Sequence, residues 1–180
     1  MTVKVIDKDL GYKRIALNFK ELKGKGVKVG IMGSQTADGT SIVDYATYNE
    51  FGTARIPARP FMTITADKNR DKVQAFTGHL VGRMIDGKLD STSVLKNLGE
   101  WYQAQMQLSV RSAKDWAIPN APSTIAMKGS SSPLIDKGRL VQAIRYEIVG
   151  DTKNSASVTA KPSKYSEGAA RLASRLAGMK

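Results

Sequence analysis

The sequence has no cysteine and a single histidine, His79. The first absence excludes disulfides, thiolate metal sites and a cysteine nucleophile, and it fits a reducing compartment. The second leaves any zinc site or Ser-His-Asp triad dependent on His79. That residue stands in "TGHLVG" with no second histidine and no HExxH spacing, so it reads as a solvated or core-edge side chain. Long apolar runs are also missing. Nothing approaches the roughly 20 residues a membrane span needs, and "MTVKVIDKDLGYKR" has no apolar segment of the kind a signal peptide carries. Acids are scarce: 16 Asp and Glu face 28 Lys and Arg, for a formal net charge of +12. An excess of this size suggests a polyanionic neighbour, whether nucleic acid, an acidic protein surface or a membrane surface; its plainer reading is a solvated, lysine-rich exterior.

Catalytic patterns are equally thin. The acids are scattered as Asp44 and Glu50, Asp67 and Asp71, Asp86 and Asp90. Asp67 and Asp71 share a helix face, but Lys68 and Lys72 sit beside them, as on a solvated surface. "GKGVKVG" has the glycines of a phosphate loop without the Gly-Lys-Ser/Thr ending. "RSAKDW" places Arg111, Lys114 and Trp116 where they could stack on nucleic acid, though an aromatic packed on the core explains Trp116 as well. The sequence therefore points to no enzyme, cofactor or metal.

What remains is a globular composition: 180 residues, 41% hydrophobic and 24% charged, enough for one domain spanning 1–180. Ile15, Phe19 and Leu22 predict a helix within Leu10–Lys23, closed by Gly24 and Gly26. "VKVGIMG" alternates and predicts a strand. Thr40 or Ser41 caps a helix that stops at Gly52. Pro57 and Pro60 break the chain before a long helix, Phe61–Ile85, with Val73, Phe76, Leu80 and Met84 as its stripe. A second long helix follows from Ser91 to Trp116, capped by Ser91 or Ser93. Its stripe is Val94, Leu98, Trp101, Gln105 and Leu108, with Leu95, Tyr102 and Met106 alongside.

Residues 117–133 hold three of the six prolines and a Gly-Ser-Ser-Ser run, and read as a long loop. A short helix in "LIDKGRLVQAI" leads to a strand at Ile144–Gly150, in a hairpin with Ser155–Ala160. Residues 161–180 read as a basic helical extension, with Lys161, Lys164, Arg171, Arg175 and Lys180 against Glu167. The expected fold is α+β: a small antiparallel or mixed sheet of three or four strands covered by the two long helices.

One stretch has no place in this inventory. "YNEFGTARIPARPFM", Tyr48–Met62, is stiffened by Pro57 and Pro60, which lowers the entropy lost on ordering. Phe51 and Phe61 are expected to anchor its ends in the core while Glu50, Arg55 and Arg59 project as a docking element. Local ion pairing in a packed loop is the other reading.

The stretch "VDYATYNEFGTARIPARPFM" resembles the signature of a family of tail-component and virion-morphogenesis proteins of tailed bacteriophages, through Tyr45, Ala46, Asn49, Glu50, Phe51, Gly52, Thr53, Pro57, Ala58, Arg59, Pro60 and Phe61. "SPLIDKGRLVQAIRYEIVG" resembles the family's second signature through Gly138, Arg139 and Leu140, with Lys137 where threonine is usual. The resemblance runs from about Val27 to Gly150. It implies a structural, non-enzymatic protein of the virion neck, assembled in the host cytoplasm. Such a protein forms a ring, a hexamer by preference or a dodecamer. The ring joins the head connector and adaptor proteins to the tail tube or its terminator, and genomic DNA passes through the lumen. A tail terminator is the alternative within this class, and a basic nucleic-acid-binding module the alternative outside it. On this reading Glu50, Phe51, Gly52, Arg55, Pro57, Arg59, Pro60, Phe61 and Arg139 lie at subunit or ring-to-ring contacts.

Overall fold

A computed structural model describes residues 9–32, 39 and 41–150. Its elements are α1 (Tyr12–Leu22), β1 (Gly26–Ile31), α2 (Ile42–Phe51), α3 (Phe61–Ile85), α4 (Ser91–Arg111), α5 (Ala113–Trp116), α6 (Pro122–Lys128), α7 (Arg139–Ala143) and β2 (Ile144–Val149). The fold is α+β, with β1 and β2 paired antiparallel from Gly26 opposite Val149 to Ile31 opposite Ile144. Among the described residues the sheet has two strands rather than three or four. The expected hairpin strand 155–160 and the basic extension 161–180 lie outside the described residues.

Alternation gives the sheet two unlike faces. Val29, Ile31, Tyr146 and Ile144 turn toward the helices. Lys28 and Glu147, an opposite-charge cross-strand pair, both stand exposed on the other face. Helix α4 lies against both strands, and α3 lies against α4. The long helices thus stack on one another, with α4 making most of the contact to the sheet. The main core joins Ala46, Phe61, Met106, Val110, Ala113, Leu134, Leu140, Val141 and Ile144. A second cluster of Leu80, Met84 and Val94, with Leu22 and Leu89 beside it, closes the far end.

The start of α2 and the whole span of α3 fall where the spacing puts them. Ser41 Oγ accepts from Asp44 N at 3.2 Å, and α3 buries Leu80 and Met84 while half-burying Val73 and Phe76. Helix α4 differs in three respects. Its cap is Asp90, whose carboxylate accepts from Ser93 N at 2.6 Å, while Ser91 is buried and bonds to Glu21 of α1. Of the expected stripe Val94 is buried and Leu98, Trp101 and Gln105 half-buried, but a further buried line runs through Leu95, Gly99, Met106 and Val110, and Leu108 is exposed. It ends at Arg111, and a short turn separates it from α5. Residues 117–133 also differ from the expected loop, because Pro122 opens α6 and Gly129, at φ 64°, closes it. Ahead of α7 the backbone twists twice into the left-handed region, at Leu134 (φ 59°) and Gly138 (φ 73°). For leucine this conformation costs roughly 1–2 kcal/mol, and full burial of the side chain in the main core offsets it.

Gly99 fixes how closely α4 approaches the sheet. A Cβ at this position would stand 2.7 Å from Tyr146 Cγ, near the root of a ring that cannot swing aside. Gly99→Ala is therefore expected to destabilise the protein by about 1–3 kcal/mol, the usual range for overpacking. Urea unfolding measures this, and in a Tyr146→Leu background the alanine should cost much less.

Candidate interaction site

Helix α3 begins on a problem. Its N-cap is Pro60, which has no side-chain acceptor for the free N–H groups of the first turn. Glu50, one residue from the end of α2, supplies the acceptor. Its carboxylate takes Met62 N and Thr63 N, both at 2.9 Å, and Thr63 Oγ1 at 2.7 Å. A negative charge at a helix N-terminus also meets the positive end of the helix dipole. Glu50 is only 6% exposed, so these bonds form away from solvent.

Between Glu50 and Pro60 the chain closes on itself. Gly52 (φ 74°) ends α2, and a Cβ there would sit 3.0 Å from Ala58 N and 3.1 Å from Ile56 O, so only glycine lets the two limbs meet. Thr53 N donates to Ile56 O at 2.8 Å, Thr53 Oγ1 accepts from Arg55 N and Ile56 N, and Arg59 N donates to Asn49 O at 2.6 Å. Phe61 then enters the main core with no exposed surface.

Arg59 is 6% exposed and ties this turn to a distant segment. Nε donates to Ile118 O at 2.8 Å, Nη2 to Pro119 O and Asn120 Oδ1 at 3.2 Å each, and Nη1 to Asn49 Oδ1 at 3.3 Å. All four acceptors are neutral. Burial pulls the Arg59 pKa below its ordinary value, with the nearby Tyr45 oxygen opposing. Burial likewise raises the Tyr45 phenol.

The expected docking residues thus divide. Glu50, Arg59 and Phe61 are buried and bonded within the chain, Gly52 and Pro60 are half-buried, and Arg55 and Pro57 are exposed. Two expectations are overturned. Phe51, expected in the core, is 63% exposed, because Gly52 turns the chain immediately after it. Arg59, expected to project, turns inward, because residues 118–120 present carbonyls that need a donor. Arg139 of the second segment opens α7, half-buried.

Residues without a place in the sequence reading complete the site. Asn120, Lys128 and Asp136 line a cleft of about 480 Å³ together with Tyr45, Asn49, Arg55, Pro57 and Arg59. Two asparagines, each bonded to Arg59, were the detectable signal: Asn49 directly precedes Glu-Phe-Gly and Asn120 sits between prolines. Elsewhere, His79 lies on the exposed side of α3 and Trp116 Nε1 donates to Ser109 O at 2.9 Å. Among the described residues no group of three His, Asp or Glu side chains is placed to hold a metal ion.

No protein-family model, curated protein or solved structure matches the chain.

The geometry makes Glu50 and Arg59 structural. Glu50→Ala should cost about 2–3 kcal/mol, because a buried helix start loses a charged acceptor. Arg59→Ala should cost about 1–3 kcal/mol, because Asn49 Oδ1 loses a buried donor and the part-buried oxygens of residues 118–120 lose theirs. Arg59→Lys should rescue little of it, since an ammonium cannot span four acceptors in a planar fork. Chemical denaturation checks the magnitudes, and limited proteolysis should show the Arg59 variants cut first within 117–133.

Proposed function

We propose that the chain is a structural subunit of the neck of a tailed bacteriophage, one copy of a ring that joins the head connector to the tail while DNA passes through. The observation that carries the reading is that the two segments bearing the resemblance, far apart in sequence, build one core. Ala46 and Phe61 of the first pack with Leu134, Leu140, Val141 and Ile144 of the second. Two signatures that meet in space form a single working unit.

On this reading Glu50 and Arg59 do not touch the neighbour; they hold the shape that does. The contact surface is the outer face of α2 and the turn after it: Val43, Tyr48, Phe51, Arg55 and Pro57, all exposed. Three large apolar side chains on one short helix face, beside an arginine, have the composition of an interface core. A ring requires a head-to-tail contact that closes by rotation, and repetition makes weak single contacts strong together. A six-fold ring is favoured. The formal charge of +12 suits acidic neighbouring proteins or a DNA conduit.

Light scattering on the purified protein, at low and moderate salt and with or without a short DNA duplex, tests this. The wild type is expected to form one closed ring. Phe51→Ala and Tyr48→Ala are expected to reduce it to monomers with unfolding midpoints close to that of the wild type, since both side chains are already largely solvated. A monomer that binds the duplex in a salt-dependent manner would replace the ring reading with a nucleic-acid-binding module.

A further inference from the structure

The cleft beside Arg59 is unbalanced in charge. Arg55, Arg59 and Lys128 line it against a single carboxylate, Asp136. Arg55 is exposed at the mouth, and Lys128 is half-buried, with Nζ donating to Ser132 O at 3.2 Å. Arg59 forms the recessed part. Its four bonds to described residues go to neutral oxygens and use four of the five N–H groups of a guanidinium. Among the described residues no carboxylate is paired with it.

A buried cation held only by dipoles is well placed to gain a charged partner, and its remaining N–H can donate one charge-assisted bond to a carboxylate oxygen. The rest of the cleft says which molecule would bring one. Ile56, Pro57 and Pro119 give the lining an apolar part, and next to Pro119 and Lys128 along the chain stand Ile118, 54% exposed, and Met127, 82% exposed. A phosphate backbone gains nothing from such side chains, whereas a polypeptide with apolar residues around its acid covers them.

We propose that this cleft receives the carboxylate of an Asp or Glu side chain carried by an acidic, partly apolar segment of a partner protein. Arg59 and Lys128 face the carboxylate, Arg55 steers it in from the mouth, and Asp136 opposes it and so excludes weaker anions. Burial lowers the Lys128 pKa, with Asp136 raising it and Arg59 lowering it further. A bound carboxylate would relieve this repulsion between the two cations. A single copy of the chain contains the whole cleft, although Arg55 and Pro57 at its mouth belong also to the proposed ring contact.

The test is fluorescence anisotropy with the full-length protein and a short fluorescein-labelled peptide repeating Glu-Leu-Gly. The peptide should bind saturably, and the matched Gln-Leu-Gly peptide should not. Lys128→Glu should weaken binding by roughly tenfold or more, as for loss of a partly desolvated charge pair. Asp136→Asn changes an exposed residue and should tighten binding, which keeps the proposal testable if Lys128→Glu folds poorly. Equal binding of the two peptides, or an Asp136→Asn protein that binds no better than wild type, would overturn the proposal. Displacement of the peptide from the wild type by a DNA duplex, with direct binding of a labelled duplex lost in Lys128→Glu, would reassign the cleft to phosphate. The anisotropy is run on the Phe51→Ala protein as well as on the wild type, so that a ring covering Arg55 and Pro57 does not mask binding; anisotropy then reads the cleft and light scattering the assembly, and failure of either leaves the other standing.

Discussion

The acceptor that Glu50 provides to the start of α3 is the interaction on which the rest of the structure depends. A helix of 25 residues that starts behind a proline has nothing of its own to cap it. With the acceptor supplied by α2, the two helices are locked at a fixed separation and Phe61 is delivered to the main core. Helix α3 then packs along α4, and α4, thinned at Gly99, packs against the sheet. The chain of dependence runs from one carboxylate through two long helices to β1 and β2.

Glu50 and Arg59 are both buried, carry opposite charge and lie in the same turn, yet each takes neutral partners of its own. Pairing them would have balanced the charge but left the α3 N–H groups and the carbonyls of residues 118–120 without partners. A polar group left without a partner where water is partly excluded costs up to about 1–3 kcal/mol, so dividing the charges satisfies more atoms than joining them. The outcome is two separate ties. One fixes a helix, and the other pins the segment leading into α6, which an abundance of proline and serine would otherwise leave without contacts. This is why residues 117–133 hold a defined course where composition alone reads as loop.

That difference marks the boundary of what was legible. Periodicity and capping found α1, β1, α2, α3 and β2, because local rules set those elements: Ser41 before an apolar spacing, Gly52 after it, Pro60 at a helix start. The stripe of α4 was right at Val94, Leu98 and Trp101, but the line facing the sheet was missed because Gly99 counts as a gap in a hydrophobic pattern although it is the point of closest approach. Asp90 outranked Ser91 as a cap because Ser91 has a partner on α1, a contact no local rule contains. At the site, the stretch from Glu50 to Phe61 was recognisable as a unit, but its direction was not. Arg59 turns inward because of carbonyls some sixty residues away, and Phe51 outward because of the glycine after it. Long-range satisfaction of backbone groups cannot be read from spacing.

Charge on this protein therefore acts at two levels. The ion pairs Arg70–Asp67 and Lys96–Glu100 lie on exposed helix faces, where such pairs contribute roughly 0–1 kcal/mol and weaken with salt. Most lysines and arginines among the described residues are of this solvated kind and can attract any polyanion without selecting one. Arg59 and Lys128 differ because part of their hydration is already gone. A partner that reaches them removes little further water from the cations and gains a stronger attraction in return. Selectivity is thus concentrated where the fold has already desolvated the charge, at the turn that Arg59 ties to residues 118–120.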